Sequence, residues 1–255
     1  MKAMAKNKKT IIDFNVTNEE LNTAYLKYKD VFNVSSDLDV IFQIALNDKE
    51  RFPAINFGNG DSTYEHYIER WIKSYADSEA SLPSEHIANP KSSCSDPAIK
   101  KLVQIATGAS ESEANAQERH HNLFMSAENI QGDLLEEFIA QNVRDFGWLW
   151  CKGNIMRAVD FCSVDGKTYL QVKNKNNTEN SSSSAIREGT EIKKWFRLRT
   201  SKQGGICFPA YKWDSLNEII NENNSSEIKC NLSEEKYIQF LEDTATKNKL
   251  IVSDK

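Results

Sequence analysis

The chain has 255 residues, 39% hydrophobic and 27% charged, with a net charge of -5. This composition excludes a disordered or collagen-like polypeptide and fits a soluble globular protein with one large core or two small ones. No apolar run approaches the roughly 20 residues of a membrane helix, and Met1–Thr10 is basic and polar without an apolar signal core, so a cytoplasmic protein with no membrane partner is expected.

Residues 1–16 read as a frayed start. A helix is predicted after Thr17, with Glu19 and Glu20 in its first turn, where negative charge suits the helix dipole. A second begins near Ser36, with Leu38, Ile41, Phe42 and Ala45 as its apolar stripe. Residues 53–61 form a loop. The third helix carries Tyr64, Tyr67, Ile68, Trp71, Ile72 and Tyr75. This aromatic stripe is read as core rather than a base-stacking platform, because amphipathic packing is the default use of such a face. Residues 78–97 are rich in Ser and Pro and form a loop or hinge. Pro97 opens a helix that ends at Thr107-Gly108.

Residues 110–145 read as one long helix or two in line. No carboxylate or cysteine repeats at ligand spacing around its His120-His121 pair, which is read as a surface or partly packed pair. Leu134, Leu135, Phe138, Ile139 and Val143 form an apolar face that Glu136 borders, while Glu137 points further away. Trp148–Cys151 fits a buried strand. The five cysteines are odd in number and form no CxxC pair, so neither a zinc site nor a disulfide framework is indicated; Cys151 and Cys162 are read as core.

Two apolar runs then flank Asp165-Gly166, a strong hairpin signal. Pairing across that turn brings Asp160, near the end of one strand, beside Lys173, at the end of the other. A carboxylate there can hold a hard divalent cation through oxygen. A lysine there can steady a phosphate oxygen or orient an attacking water. After Lys173 come the polar residues 174–184 and then a predicted basic helix carrying Arg187, Lys193, Lys194, Arg197 and Arg199. Gln203-Gly204-Gly205 is a turn, Ile206–Trp213 a short strand that Pro209 confines to an edge, and Leu216–Ile220 a helical piece. Ser233 caps a final helix, and the tail after Thr246 is read as disordered or a short strand. From Lys152 to Trp213 there are twelve Lys and Arg against five Asp and Glu, a basic island in an acidic chain. Such an island suits a phosphate-binding cleft, since local potential rather than total charge governs that binding; a solvated basic face is the plainer reading.

Val159-Asp160-Phe161 followed by Gln171-Val172-Lys173 resembles the PD-(D/E)xK nuclease superfamily. No proline precedes Asp160, and Gln171 stands where Asp or Glu is usual. The run Lys173-Asn174-Lys175-Asn176-Asn177-Thr178-Glu179-Asn180, the serines and Arg187 after it, and Trp195-Phe196-Arg197 look like type II restriction endonucleases of the SinI-like group, which cut palindromes of the GGWCC or GGNCC kind.

The resemblance covers roughly residues 130–215. It implies an α/β (α+β) fold with a PD-(D/E)xK nuclease-like core, a short mixed β-sheet flanked by helices, and a helical N-terminal region. The division expected is 1–109 for dimerisation or DNA clamping, and 110–255 for the catalytic core with the basic segment 152–213. Asp160, Gln171 and Glu136 are then expected to bind Mg2+, with Lys173 completing the catalytic set; Glu136 as an ordinary solvent-facing helix residue is the alternative. Asn174, Lys175, Asn180, Ser181, Ser182, Ser183, Arg187, Lys194 and Arg197 are the expected DNA contacts, Arg187 first among them. Double-stranded DNA, a twofold homodimer and a methyltransferase of the same specificity are the expected partners. The rival readings are a structure-selective repair or recombination nuclease, a DNA-binding protein that has lost catalysis, and a structural Asp160–Lys173 ion pair.

Overall fold

The computed structural model describes residues 7–58, 60, 62–88, 95–175, 191–222, 224 and 226–253 (203 by its backbone alone). In chain order these form β1 (Lys8–Lys9), α1 (Asn18–Phe32), α2 (Asp37–Asn47), β2 (Ile55–Asn56), α3 (Tyr64–Ala80), α4 (Pro97–Thr107), α5 (Glu111–Val143), β3 (Trp148–Trp150), β4 (Phe161–Ser163), β5 (Tyr169–Lys175), β6 (Ile192–Gln203), β7 (Ile206–Tyr211), α6 (Trp213–Asn221) and α7 (Glu234–Lys247). The chain folds as two compact units: residues 1–81 with 139–233, and residues 82–138 with 234–255. Helix α5 contributes residues to both.

The first unit is built on a five-stranded sheet in the order β3-β4-β5-β6-β7. All its neighbours are antiparallel except β5 and β6, which run parallel. The sheet is therefore mixed, as expected. The β4–β5 hairpin forms where it is predicted, through a connection of residues 164–168. Asp165 organises it, accepting from Ser163 Oγ at 2.6 Å and Lys167 N at 3.1 Å.

Helices α1 and α3 open on threonine caps. Thr17 Oγ1 accepts from Glu20 N at 3.2 Å while Glu20 accepts from Thr17 N at 2.8 Å, a capping box. Thr63 caps α3 through His66 N. The aromatic stripe of α3 is core: Tyr67, Trp71 and Tyr75 are buried. Tyr25 stacks on Phe42 at 4.0 Å, and Phe52 meets Trp71 at 5.5 Å. Trp71 Nε1 donates to Ile155 O at 2.7 Å, tying α3 to the chain beyond β3.

This cluster continues onto one face of the sheet through Leu149, Cys162, Tyr169 and Ile192. The opposite face buries Trp148, Phe161, Leu170, Val172 and Trp195, and Trp213 of α6 lies 5.1 Å from Trp195. Cys151 and Cys162 are buried free thiols, as read from sequence.

Three sequence expectations are corrected. The segment read as a basic helix is strand β6. Its register with β5, from Tyr169↔Ile192 to Lys175↔Leu198, makes it an inner strand of the sheet. The alternation Phe196-Arg197-Leu198-Arg199-Thr200 is a strand pattern, but the cations also fall near helical spacing. The start of the chain is ordered from residue 7: β1 pairs with β2, and Ile11 is wholly buried. Burying such a side chain is worth roughly 1.5–3 kcal/mol, enough to tie down a short segment.

The third correction lies in the second unit. Glu137 does not point away; it is buried, and accepts from Ser84 N at 2.8 Å and Ser84 Oγ at 2.6 Å. Phe138 packs against Tyr237 and Phe240 of α7 in the same unit. After α7 the tail is held by Asn248, which donates to Ser84 O and His86 O, and Ile251 is buried. His120 and His121 are exposed, as expected.

Candidate active site

Asp160 sits one residue before β4. Its N–H donates to Leu170 O at 2.9 Å, and its C=O accepts from Cys151 N at 2.8 Å, so it is fixed between β3 and β5. The chain reaches this position through Ala158, whose φ of 60° lies in the left-handed region. A non-glycine residue there costs of order 1–2 kcal/mol, so the surrounding packing holds the bend that aims Asp160.

The β4–β5 register ends at Phe161↔Leu170, and Asp160 just before it bonds Leu170 O through its N–H and Val172 N through its carboxylate, which sets it beside the Leu170–Val172 stretch of β5. Gln171 and Lys173 are two apart on β5 and share a face. Gln171 neighbours Lys194 on β6, and Lys173 neighbours Phe196. The site thus continues the sheet face that carries Cys162, Tyr169 and Ile192, at the point where it leaves the core. Three of the four predicted catalytic residues, with Lys194 beside them, come together in this way.

Asp160 Oδ2 accepts the backbone N–H of Val172 at 2.7 Å. Burial pushes the Asp160 carboxyl above its ordinary range, and the Val172 N–H and the nearby Lys173 charge offset part of that rise. The ion pairs among the described residues do not include Asp160 with Lys173; the lysine acts as a neighbouring charge. The Val172 N–H is the contributor that a side-chain pattern could not reveal.

The other predicted residues are placed differently. Asn174 and Arg197 are joined by a 2.8 Å hydrogen bond from Arg197 Nε to Asn174 Oδ1, and Arg197 is buried over the Tyr211 ring. Lys175 is exposed. Glu136 belongs to the second unit, half-buried on α5. Asn180, Ser181, Ser182, Ser183 and Arg187 lie outside the described residues.

Among the described residues no three His, Cys, Asp or Glu side chains group as a metal site. The donors at hand are one carboxylate, with Oδ2 engaged and Oδ1 accepting no hydrogen bond from the described residues, and one amide carbonyl, that of Gln171. Oxygen donors of this kind fit a hard divalent cation, and a single charge implies a weaker hold than two would give.

The SinI restriction endonuclease family model matches residues 27–244. The chain belongs to the SinI restriction endonuclease family. It is 30% identical over 221 residues to the type II restriction enzyme SinI of Salmonella infantis, covering 81% of this chain and 90% of that one. It is 36% identical over 167 residues to the type II restriction enzyme Eco47I of Escherichia coli, covering 64% of this chain and 68% of that one. Membership of this family makes the protein a type II restriction endonuclease, a site-specific deoxyribonuclease. The mixed sheet, with helices around it, is the α+β core expected of such an enzyme.

Proposed function

We propose that this enzyme hydrolyses one phosphodiester per strand of double-stranded DNA at a short palindrome of the GGWCC or GGNCC kind, with Mg2+, through a PD-(D/E)xK-type site. The observation that carries this reading is the seat of Asp160 against Val172 N–H, between Gln171 and Lys173, which share a face of β5. Asp160 and the Gln171 carbonyl are the residues to hold the cation, and Glu136 is proposed as a further ligand, direct or through water. When bound, Mg2+ supplies charge neutralisation at the phosphodiester and makes water more acidic. Lys173 offers positive charge where the in-line transition state gathers negative charge, or positions the attacking water. Lys175, Lys194 and the predicted contacts of residues 174–187 neutralise phosphates and read bases, Arg187 first. The buried Arg197 supports this surface through Asn174.

A palindromic target suits a homodimer with one active centre per strand. Residues 1–109 are proposed as its dimerisation or clamping layer, and 110–255 as the catalytic core. A cytoplasmic setting and a companion methyltransferase of the same specificity complete the reading. Gln171 favours one rival, a DNA-binding protein without catalysis.

The test is a digest of unmethylated phage DNA by purified protein with Mg2+, against a matched EDTA control. Discrete bands with Mg2+ alone are expected, and fragment ends give the site. A smear would mean a nonspecific or structure-selective nuclease, and intact DNA under both conditions the inactive binding protein.

A further inference from the structure

Among the described residues, β6 pairs with β7 alone beyond Leu198, in register from Arg199↔Ala210 to Gln203↔Ile206. The two strands are joined by Gly204 and Gly205 alone, both at positive φ (57° and 81°). Two positive-φ residues are what the tightest hairpin turn requires, and glycine adopts them without strain. The result is a two-stranded ribbon, roughly 17 Å from Leu198 to its tip at about 3.4 Å per residue.

Its surface is unusual in two respects. Ile206 is 62% exposed and Phe208 45%, although both sit in a strand. From Ile192 to Trp213 the sequence holds no Asp or Glu, while Arg199 and Lys202 are exposed on the ribbon. Exposed apolar side chains on a free strand edge are a liability that proteins ordinarily avoid, so their retention beside uncompensated cations points to a polyanionic partner with apolar patches. Bare phosphate contact would need the cations alone. The major groove of DNA is about 12 Å wide, admits a two-stranded β-ribbon, and displays thymine methyl groups beside its hydrogen-bonding edges. β-Ribbons are an established way of entering it.

We infer that the β6–β7 ribbon inserts into the major groove of the target duplex, with Ile206 and Phe208 meeting base edges, Arg199 anchoring the same face, and Lys202 on the other face reaching a flanking phosphate. This deepens the DNA-cleaving reading above and rests on its choice of DNA as partner. The ribbon contributes to site selection, and it acts apart from the Asp160 face.

The test compares the wild-type chain with a ribbon shortened by two cross-strand pairs, Ser201 with Phe208 and Lys202 with Cys207. Removing two residues per strand preserves the alternation of faces. A second variant, I206S with F208S, keeps the full length in case the first fails to fold. The probe is a duplex recovered by wild-type protein from a randomised pool in EDTA, so that binding is read without cleavage. Both variants are expected to melt like wild type, to lose at least about tenfold in affinity for the selected duplex, and to stay within about threefold on unrelated duplex. Dimethyl sulfate should find guanine N7 protected by wild type and open with the variants.

Equal losses on all DNA would overturn the inference, as would protection of adenine N3, on the minor-groove side. Unchanged affinity would overturn it as well. Because this assay needs no metal, a failed digest with a ribbon-dependent selected duplex removes only the catalytic reading. A successful digest with no ribbon effect removes only the ribbon.

Discussion

The backbone N–H of Val172 donates to Oδ2 of Asp160 at 2.7 Å, so the residue between Gln171 and Lys173 orients the acid beside them. The cost of this placement is a carboxylate withdrawn from water. With its folded-state pKa raised by burial, Asp160 favours folding most when protonated. That contribution is present below the ordinary carboxylate pKa and is lost as pH rises through the raised value. D160N retains an oxygen for the Val172 N–H and carries no charge. In EDTA at neutral pH it should be more stable than wild type, with a higher Tm, and the gap should close in mild acid. Cleavage should vanish. Urea titrations at two pH values check the first part; lower stability of D160N at neutral pH would show that burial is not the dominant influence.

Gln171→Glu adds a second charge beside Asp160. The Mg2+ concentration giving half-maximal cutting should fall by about tenfold, since ligand charge sets the affinity of such sites. Without metal the two carboxylates repel, and the variant should lose about 1 kcal/mol. An unchanged Mg2+ requirement would place Gln171 outside the metal's reach.

Lys173→Ala should slow cleavage by at least about 100-fold while DNA affinity stays within about threefold. A purely structural lysine would behave oppositely, with a lowered Tm and cutting retained per folded molecule.

In the second unit, Glu137 accepts two hydrogen bonds from Ser84 while buried. Glu137→Ala leaves those donors without a partner and should cost roughly 2–4 kcal/mol; Ser84→Ala removes one bond and should cost about half as much. Denaturant midpoints of the two variants decide this.

Gly153 is held at φ 75°, and a Cβ there would lie 2.4 Å from Ser74 O of α3. The backbone oxygen cannot move without shifting the helix, so Gly153→Ala should destabilise by at least about 2 kcal/mol. A loss below about 0.5 kcal/mol would mean that α3 yields easily.

Much of this architecture was legible because it is local. The start of α1 after Thr17 and the Asp165 turn are decided within a few residues, so sequence alone places them and, through the turn, the approach of Asp160 to Lys173. What escaped depends on partners far along the chain. Residues 192–203 become a strand because β5 and β7 flank them, overriding a cation pattern that also suits a helix. Glu137 is buried because Ser84, 53 residues earlier, satisfies it. Ile11 is core because β2 receives β1. The Val172 N–H that orients Asp160 is a main-chain group, identical in every residue but proline, and leaves no mark in a sequence.

The hydrogen bond from Trp71 to Ile155 spans 84 residues, and the unit that contains it cannot close until residues 139–233 follow residues 1–81. At roughly 5–20 residues per second of synthesis, Trp71 Nε1 waits several seconds for its acceptor, Ile155 O, while the rings of Tyr25, Phe42, Phe52 and Trp71 already have one another to pack on. The strands beside Asp160 and Lys173 gain their support only once β6 has followed them. Residues 1–138 alone therefore hold neither the strands that flank Asp160 nor the strand that bears Lys173.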